Sequence, residues 1–168
     1  HYRLSYVCLQ EVTSNKRVKD GPTASGYMVY GKRFGKRKRI GTLVTNGQQP
    51  EKVVRGNHYL IIFMVQDVVI NLHLPNKCTD ERYSDIMDEI SSVLDADACK
   101  RTAVIAGDLN IHFHRSSEVV GHHAIFNIRR ARTPQQLTRS RLFQAMCSRH
   151  DITLHTTFHN LGHTRQPF

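Results

Sequence analysis

Two polar residues follow the most strand-like segment of the chain. Residues 102–106 form a short apolar run with three β-branched members, which predicts a buried strand. Gly107 interrupts the run, and Asp108 and Asn110 follow two positions apart. In an extended chain these two side chains share one face, about 7 Å apart. A carboxylate beside an amide suits the activation of water next to a phosphate, although the same residues are common in a plain turn after a strand.

Two other predicted strands end in residues of the same kind. The first strand runs into Gln10 and Glu11, and the strand over residues 68–74 carries Asn71 and His73 on one face. If these strands are neighbours in one sheet, their ends bring carboxylates, an imidazole and amides together.

That set of groups suits metal-assisted hydrolysis of a phosphoester. Oxygen ligands hold Mg²⁺, which acts as a Lewis acid on the phosphoryl group. A carboxylate can take a proton from water, and amide and imidazole donors can stabilise the oxygens of the transition state.

The rest of the chain predicts the elements that must position these groups. Apolar runs and alternation predict strands, and recurrence at helical spacing behind a Thr-Asp-Glu start predicts a helix. The predicted strands are 4–9, 27–30, 40–45, 59–65, 68–74, 102–106 and 152–158, and the predicted helices are 79–94 and 134–149. The pair Asn46-Gly47 is a hairpin signal. Hairpins followed by crossovers favour an α/β protein with helices layered on a mixed sheet.

Composition indicates an anionic partner. The 168 residues are a one-domain length, and 24 Lys and Arg against 14 acids give a net charge of +10, which favours DNA, or RNA, as the partner. Six cations lie in one run, namely Lys32, Arg33, Lys36, Arg37, Lys38 and Arg39. The run is predicted to be a loop and a DNA-backbone contact, with a solvated loop or a targeting peptide as the alternative.

Other compositional features narrow the class of protein. No apolar run approaches the roughly 20 residues of a membrane helix, so we expect no membrane partner. The four cysteines are widely spaced, which favours free thiols in a reducing compartment over a zinc finger. We expect an intracellular, nuclear location. A cluster of histidines at positions 112, 114, 122 and 123 leaves open a transition-metal site. The oligomeric state is not readable from the sequence.

Three segments together resemble ordered motifs of the endonuclease/exonuclease/phosphatase superfamily, which has the fold of DNase I and of the apurinic endonucleases. They are Cys8-Leu9-Gln10-Glu11, Asn71-Leu72-His73-Leu74-Pro75 and Gly107-Asp108-Leu109-Asn110. The resemblance implies an α/β, DNase I-like two-sheet sandwich flanked by helices. Residues 119–158 further resemble the endonuclease domains of non-long-terminal-repeat retrotransposons, through Val120-Gly121-His122-His123, Arg141-Leu142-Phe143-Gln144 and Thr156-Thr157-Phe158.

The resemblance also implies roles. Glu11 matches the metal-binding glutamate, with Mg²⁺ or Mn²⁺ as the cofactor, and Asp108 matches the carboxylate that activates water. Asn110 matches the amide that binds the phosphate, His73 stands near the scissile phosphate, and Asn71 is a supporting residue. Gln10 is expected to be structural. The implied activity is hydrolysis of DNA phosphodiester bonds by an endonuclease.

Two expected motifs are missing from the sequence. The superfamily has an asparagine on a strand before the first strand of this chain, and a closing Ser-Asp-His segment that does not occur in the 168 residues. We therefore expect one partial domain over residues 1–168, truncated at both ends and weakly active or inactive. The alternatives are a catalytically dead nucleic-acid-binding remnant, or a phosphoesterase of the same fold acting on RNA or a small phosphoester.

Overall fold

The computed structural model describes residues 5–10, 20–34, 38–45, 47–97, 101–111, 113, 118–120 and 133–154; for residues 32–34, 38 and 39 it describes the main chain only. The chain forms two compact units. The described residues of the first unit, within His1–Pro75 and Asp97–Asn110, form eight strands. Those of the second, within Asn76–Ala96 and Ile111–Phe168, form two helices.

Two four-stranded sheets make up the first unit. The first sheet is antiparallel, in the order β1-β4-β3-β2, and contains β1 (Tyr6–Leu9), β2 (Gly21–Pro22), β3 (Tyr27–Phe34) and β4 (Lys38–Thr45). The second sheet has the order β5-β6-β7-β8 and contains β5 (Lys52–Arg55), β6 (Tyr59–Phe63), β7 (Asp67–His73) and β8 (Thr102–Asp108). Only the β7–β8 pair is parallel among these strands.

The basic run lies largely on a hairpin. The main chain of Lys32 pairs with Ile40, and Arg33 pairs with Arg39, so β3 and β4 extend beyond the predicted strands at 27–30 and 40–45. The prediction of a loop over residues 32–39 is therefore wrong for the described part of the run. Charged side chains do not stop a strand when the main-chain hydrogen bonds to its partner strand continue.

The hairpin of β6 and β7 agrees with the sequence prediction, whereas the sequence does not predict β5. β5 is short and begins and ends with a basic residue, so its sequence shows little alternation, and its partner β6 supplies the pairing. The predicted turn at Asn46-Gly47 does not close a hairpin, because β4 and β5 belong to different sheets.

Apolar side chains from both sheets form one core between them. Val44 and Ile40 from β4 pack with Leu60, Ile62 and Val69 from the second sheet, and all five are fully buried. At about 25 cal/mol per Å² of apolar surface removed from water, such burial is the main force that holds the two sheets together. The first unit is thus a two-sheet sandwich.

The two helices of the second unit begin where the sequence predicts. α1 (Asp80–Asp95) starts after Thr79, whose side chain accepts a hydrogen bond from the Arg82 amide at 3.2 Å. α2 (Pro134–Arg149) starts after Thr133, which forms a capping box with Gln136. These caps satisfy amides that the first helical turn leaves without partners.

Other features of the second unit complete the fold. Near residue 152, where the sequence predicts a strand, the described residues show an isolated bridge between Val120 and Leu154, and residues 155–158 lie outside the described ranges.

Cys147 is buried and Cys78 is partly buried; both are free thiols, as is Cys8 in the first unit. Within the described ranges, no helix combines the length and apolar composition that a bilayer crossing requires.

Candidate active site

Strands β7 and β8 end side by side. Their parallel register places His73 opposite Asp108, and the ladder continues beyond β7 through a 2.9 Å hydrogen bond from the Leu74 amide to the Asp108 carbonyl. Neighbouring strands lie about 4.8 Å apart, so the two side chains leave the sheet next to each other. The structure therefore brings together an imidazole and an exposed carboxylate that are 35 positions apart in the sequence.

Asn110 closes the end of β8 with a tight turn. Its φ of 48° is in the left-handed region, which asparagine tolerates better than most residues. Its main-chain amide donates to Asp108 Oδ1 at 3.2 Å, and its side-chain Nδ2 donates to the Leu74 carbonyl at 2.9 Å. The simple alternation expected for Asp108 and Asn110 is thus replaced by a turn, and the turn itself holds Asn110 against the end of β7.

Gly107 lets β8 come this close to β7. Its φ is 141°, and a Cβ atom at this position would lie 2.0 Å from the Leu72 carbonyl oxygen. No side chain other than hydrogen fits there without moving main-chain atoms. The glycine before Asp108 is therefore needed to set where the carboxylate emerges.

Asn71 lies between the two sheets. It is fully buried, and its Nδ2 donates to the Gly41 carbonyl at 2.8 Å and contacts Thr42 Oγ1 at 3.1 Å and the Leu9 carbonyl at 3.4 Å. Its Oδ1 accepts a 2.7 Å hydrogen bond from Gln10 Nε2. Asn71 therefore joins β7 to both β1 and β4, and it supports the site by fixing strand ends.

The hydrogen bond between Gln10 and Asn71 also places the end of β1. Asn71 precedes His73 by two residues, so the end of β1 lies close to the ends of β7 and β8. Glu11, the next residue along the chain, is outside the described residues, as are Lys36 and Arg37 of the basic run. Histidines 112, 114, 122 and 123 lie outside them too.

The described residues at the ends of β7 and β8 supply part of the ligand chemistry that a hard divalent cation requires. The exposed carboxylate of Asp108 provides the oxygen chemistry that Mg²⁺ prefers. Among the residues that the structure describes, however, no three His, Cys, Asp or Glu side chains are grouped to hold a metal ion. Glu11, for which the sequence resemblance implies metal binding, follows the described end of β1.

His58 is a neighbour of the site that belongs to none of the sequence motifs. It precedes β6 and lies across from His73, whose amide donates to the His58 carbonyl at 2.9 Å. The ring Nδ1 of His58 is 3.2 Å from the His73 carbonyl oxygen. No motif marks this histidine, and only the register of β6 against β7 brings it to the site.

A cavity of about 300 Å³ opens at the other end of the sandwich. It is lined by Tyr6, Asp67 and residues 47–49 and 64–66. The Tyr6 hydroxyl donates to Asp67 Oδ2 at 2.8 Å, and burial, followed by this contact, raises the pKa of Tyr6 to about 12. Asp67 and His73 are at opposite ends of β7, about 20 Å apart along an extended chain, so this cavity is separate from the candidate active site.

Comparison with solved structures identifies the fold. An AP endonuclease from Archaeoglobus fulgidus superposes with a TM-score of 0.57 at 17% sequence identity, over 86% of this chain and 60% of that chain. A 3′ phosphatase, NExo, from Neisseria, bound to product DNA hairpin, superposes with a TM-score of 0.54 at 13% identity, over the same shares of the two chains. The predicted DNase I-like fold is therefore confirmed.

Sequence comparisons add no family to this structural similarity. No protein-family description and no curated protein matches the sequence. The chain spans about 60% of the length of the solved structures named above. At this level of identity the similarity establishes the fold alone.

Proposed function

We propose that this chain carries the site of a metal-dependent DNA endonuclease that hydrolyses phosphodiester bonds. The observation that carries the proposal is the grouping of His73, Asp108 and Asn110 at the paired ends of β7 and β8. Solved structures of the same fold include DNA-processing enzymes, which favours a DNA phosphoester as the substrate.

Each residue has a role in this proposal. The carboxylate of Asp108 takes a proton from the attacking water. Asn110 uses one amide hydrogen on the Leu74 carbonyl, and its second amide hydrogen donates to a phosphate oxygen. The imidazole of His73, beside Asp108, donates to another phosphate oxygen and stabilises charge that develops in the transition state.

Glu11 would hold Mg²⁺ or Mn²⁺. When bound, the ion polarises the phosphoryl oxygen and neutralises charge on the leaving group. The hydrogen bonds of Asn71 position the segment that leads to Glu11, because they hold Leu9 and Gln10 at the end of β1.

The basic hairpin would bind the DNA backbone. Lys32, Arg33, Lys38 and Arg39 are on the described strands of the hairpin, and Lys36 and Arg37 are between them in sequence. Lysine and arginine contacts to phosphates are independent of sequence and release counterions, so they supply affinity and a strong salt dependence.

A phosphomonoesterase is the second candidate. It is favoured by the structural similarity to NExo, which is a 3′ phosphatase. The same three residues could bind a terminal phosphate instead of an internal one, and oligonucleotides that carry a 3′-phosphate distinguish the two reactions.

An origin in a non-long-terminal-repeat retrotransposon is part of the proposal and is supported by sequence motifs alone. An open reading frame that continued into a Ser-Asp-His segment and a reverse transcriptase would support this origin. A flanking sequence that encodes an unrelated enzyme would contradict it.

The decisive experiment compares Asp108→Asn with the native chain on supercoiled plasmid, at high protein concentration with and without Mg²⁺. We expect slow, Mg²⁺-dependent nicking by the native chain. Loss of a catalytic base should reduce the rate by about 10²–10⁴-fold. Asp88→Asn is the matched control, because it makes the same change in charge on an exposed position of α1. Equal nicking by the native chain and Asp108→Asn would contradict the proposal.

A further inference from the structure

We propose that His58 is a positioning residue of the active site, which holds His73 in place through its imidazole Nδ1. This inference rests on the proposed function, because it assigns a second histidine to the same site. Its basis is the pair of contacts between His58 and His73, one through the main chain and one through the ring.

The main chain at His73 and Leu74 is held from both sides. On the β6 side, the His73 amide donates to the His58 carbonyl and the His73 carbonyl contacts the His58 ring. On the β8 side, the Leu74 amide donates to Asp108 and the Leu74 carbonyl accepts from Asn110. The main chain at His73 and Leu74 therefore lies between His58 on one side and Asp108 and Asn110 on the other.

The turn that carries His58 is tightly packed. The Gly56 amide donates to the Tyr59 carbonyl at 3.0 Å, and a Cβ atom at Gly56 would lie 2.2 Å from the Tyr59 ring. Tyr59 is itself buried. A turn fixed in this way presents the His58 ring at one location relative to β7, as a positioning role requires.

The hydrogen bond defines which ring nitrogen of His58 is the donor. Nδ1 must carry a proton to donate to the His73 carbonyl, which leaves Nε2 as an acceptor in the neutral ring. Asparagine can place a donor where Nδ1 is, whereas glutamine places its donor at the distance of Nε2. The Asn and Gln variants therefore separate a specific donor from the mere presence of a polar side chain.

The experiment measures the His73 ring and the activity on the same set of variants. The His73 ring ¹H and ¹⁵N resonances are assigned by their loss in His73→Gln, and then compared in His58→Ala, His58→Gln, His58→Asn and the neighbouring surface control Asn57→Ala. We expect His58→Ala and His58→Gln to shift the His73 ring resonances, and His58→Asn and Asn57→Ala to leave them close to those of the native chain. Melting temperatures identify any variant that fails to fold.

Nicking of plasmid under single-turnover conditions completes the test. Misplacement of a catalytic group by a fraction of an ångström to 1 Å costs up to about 10²-fold, so we expect a roughly 10- to 100-fold loss in His58→Ala and recovery in His58→Asn. Unchanged His73 resonances in His58→Ala would overturn the inference, whatever the activity. Unchanged nicking in His58→Ala, in a protein whose nicking requires Asp108, would overturn it as well.

Failure of the proposed function gives a different result. In that case nicking is insensitive to Asp108→Asn, while the His73 resonances still respond to His58→Ala and recover in His58→Asn. That pattern would support His58 as the residue that positions His73 and would reject the nuclease reaction assigned to the site.

Discussion

Replacing Asn71 tests how the two sheets are joined at the site. The side chain is fully buried and has two amide hydrogens, which serve the carbonyls of Gly41 and Leu9 and the hydroxyl of Thr42. Its oxygen accepts from Gln10. In Asn71→Ala, the buried hydroxyl of Thr42 and partly buried polar groups on β1 and β4 lose this partner at once.

The size of the effect follows from these contacts. A buried group left without a hydrogen bond costs about 1–3 kcal/mol. Asn71→Ala removes two donated hydrogen bonds and one accepted hydrogen bond. If the neighbouring groups relax in part, the free energy of unfolding should fall by about 3–5 kcal/mol. Domains are stable by only about 5–15 kcal/mol, so the loss should be large. Asn71→Asp should be at least as destabilising, because a carboxylate cannot donate to the Gly41 or Leu9 carbonyl.

Urea unfolding followed by circular dichroism measures this prediction. Gln10→Ala is the matched control, because it removes one partly exposed contact and should cost about 1 kcal/mol. The double variant should lose less than the sum of the two single variants, with a coupling of about 0.5–3 kcal/mol. A loss below about 1 kcal/mol in Asn71→Ala, with an unchanged m-value, would refute the view that Asn71 joins the sheets.

Three other predictions follow from the structure. Gly107→Ala should destabilise the chain by about 2 kcal/mol or more and reduce nicking, because the Cβ of the alanine would clash with the Leu72 carbonyl. A variant with the same stability as the native chain in urea unfolding would contradict this prediction. Burial raises the pKa of Cys147 from 9.0 to about 12, so the unfolded chain loses this proton first, and stability should fall between pH 9 and pH 12. Cys147→Ala should lack that part of the pH dependence of the urea midpoint, and an identical slope would contradict the assignment. Neutralising the six cations of residues 32–39 should weaken DNA binding and flatten its dependence on salt concentration in fluorescence anisotropy, whereas an unchanged salt slope would exclude the hairpin from the interface.

The helices and the β6–β7 hairpin could be predicted because their signals are local. Threonine caps, a capping box and apolar periodicity define α1 and α2 within a few neighbouring residues. The apolar runs of β6 and β7 are separated by a short polar turn. β5 and the extension of β3 and β4 depend on pairing with distant strands, and that pairing overrides the weak preference of Lys32 or Arg55 for a strand.

The site was predictable in its residue types and less so in its geometry. His73 and Asp108 followed from motifs, whereas their direct juxtaposition depends on the parallel register of β7 and β8. Sequence could not show that Asn71 faces the first sheet, because both faces of β7 are apolar. It could not identify His58 either, because its relation to His73 depends on the register of an antiparallel pair and on one side-chain rotamer.

The most direct test of the proposed hydrolysis is the rate of Mg²⁺-dependent plasmid nicking in Asp108→Asn, with DNA affinity measured on the same preparation. The proposal predicts that nicking falls at least about 10²-fold while DNA binding and the melting temperature stay close to those of the native chain and of Asp88→Asn. Nicking that continues at the native rate in Asp108→Asn would contradict the central claim that this carboxylate, beside His73 and Asn110, performs the chemistry.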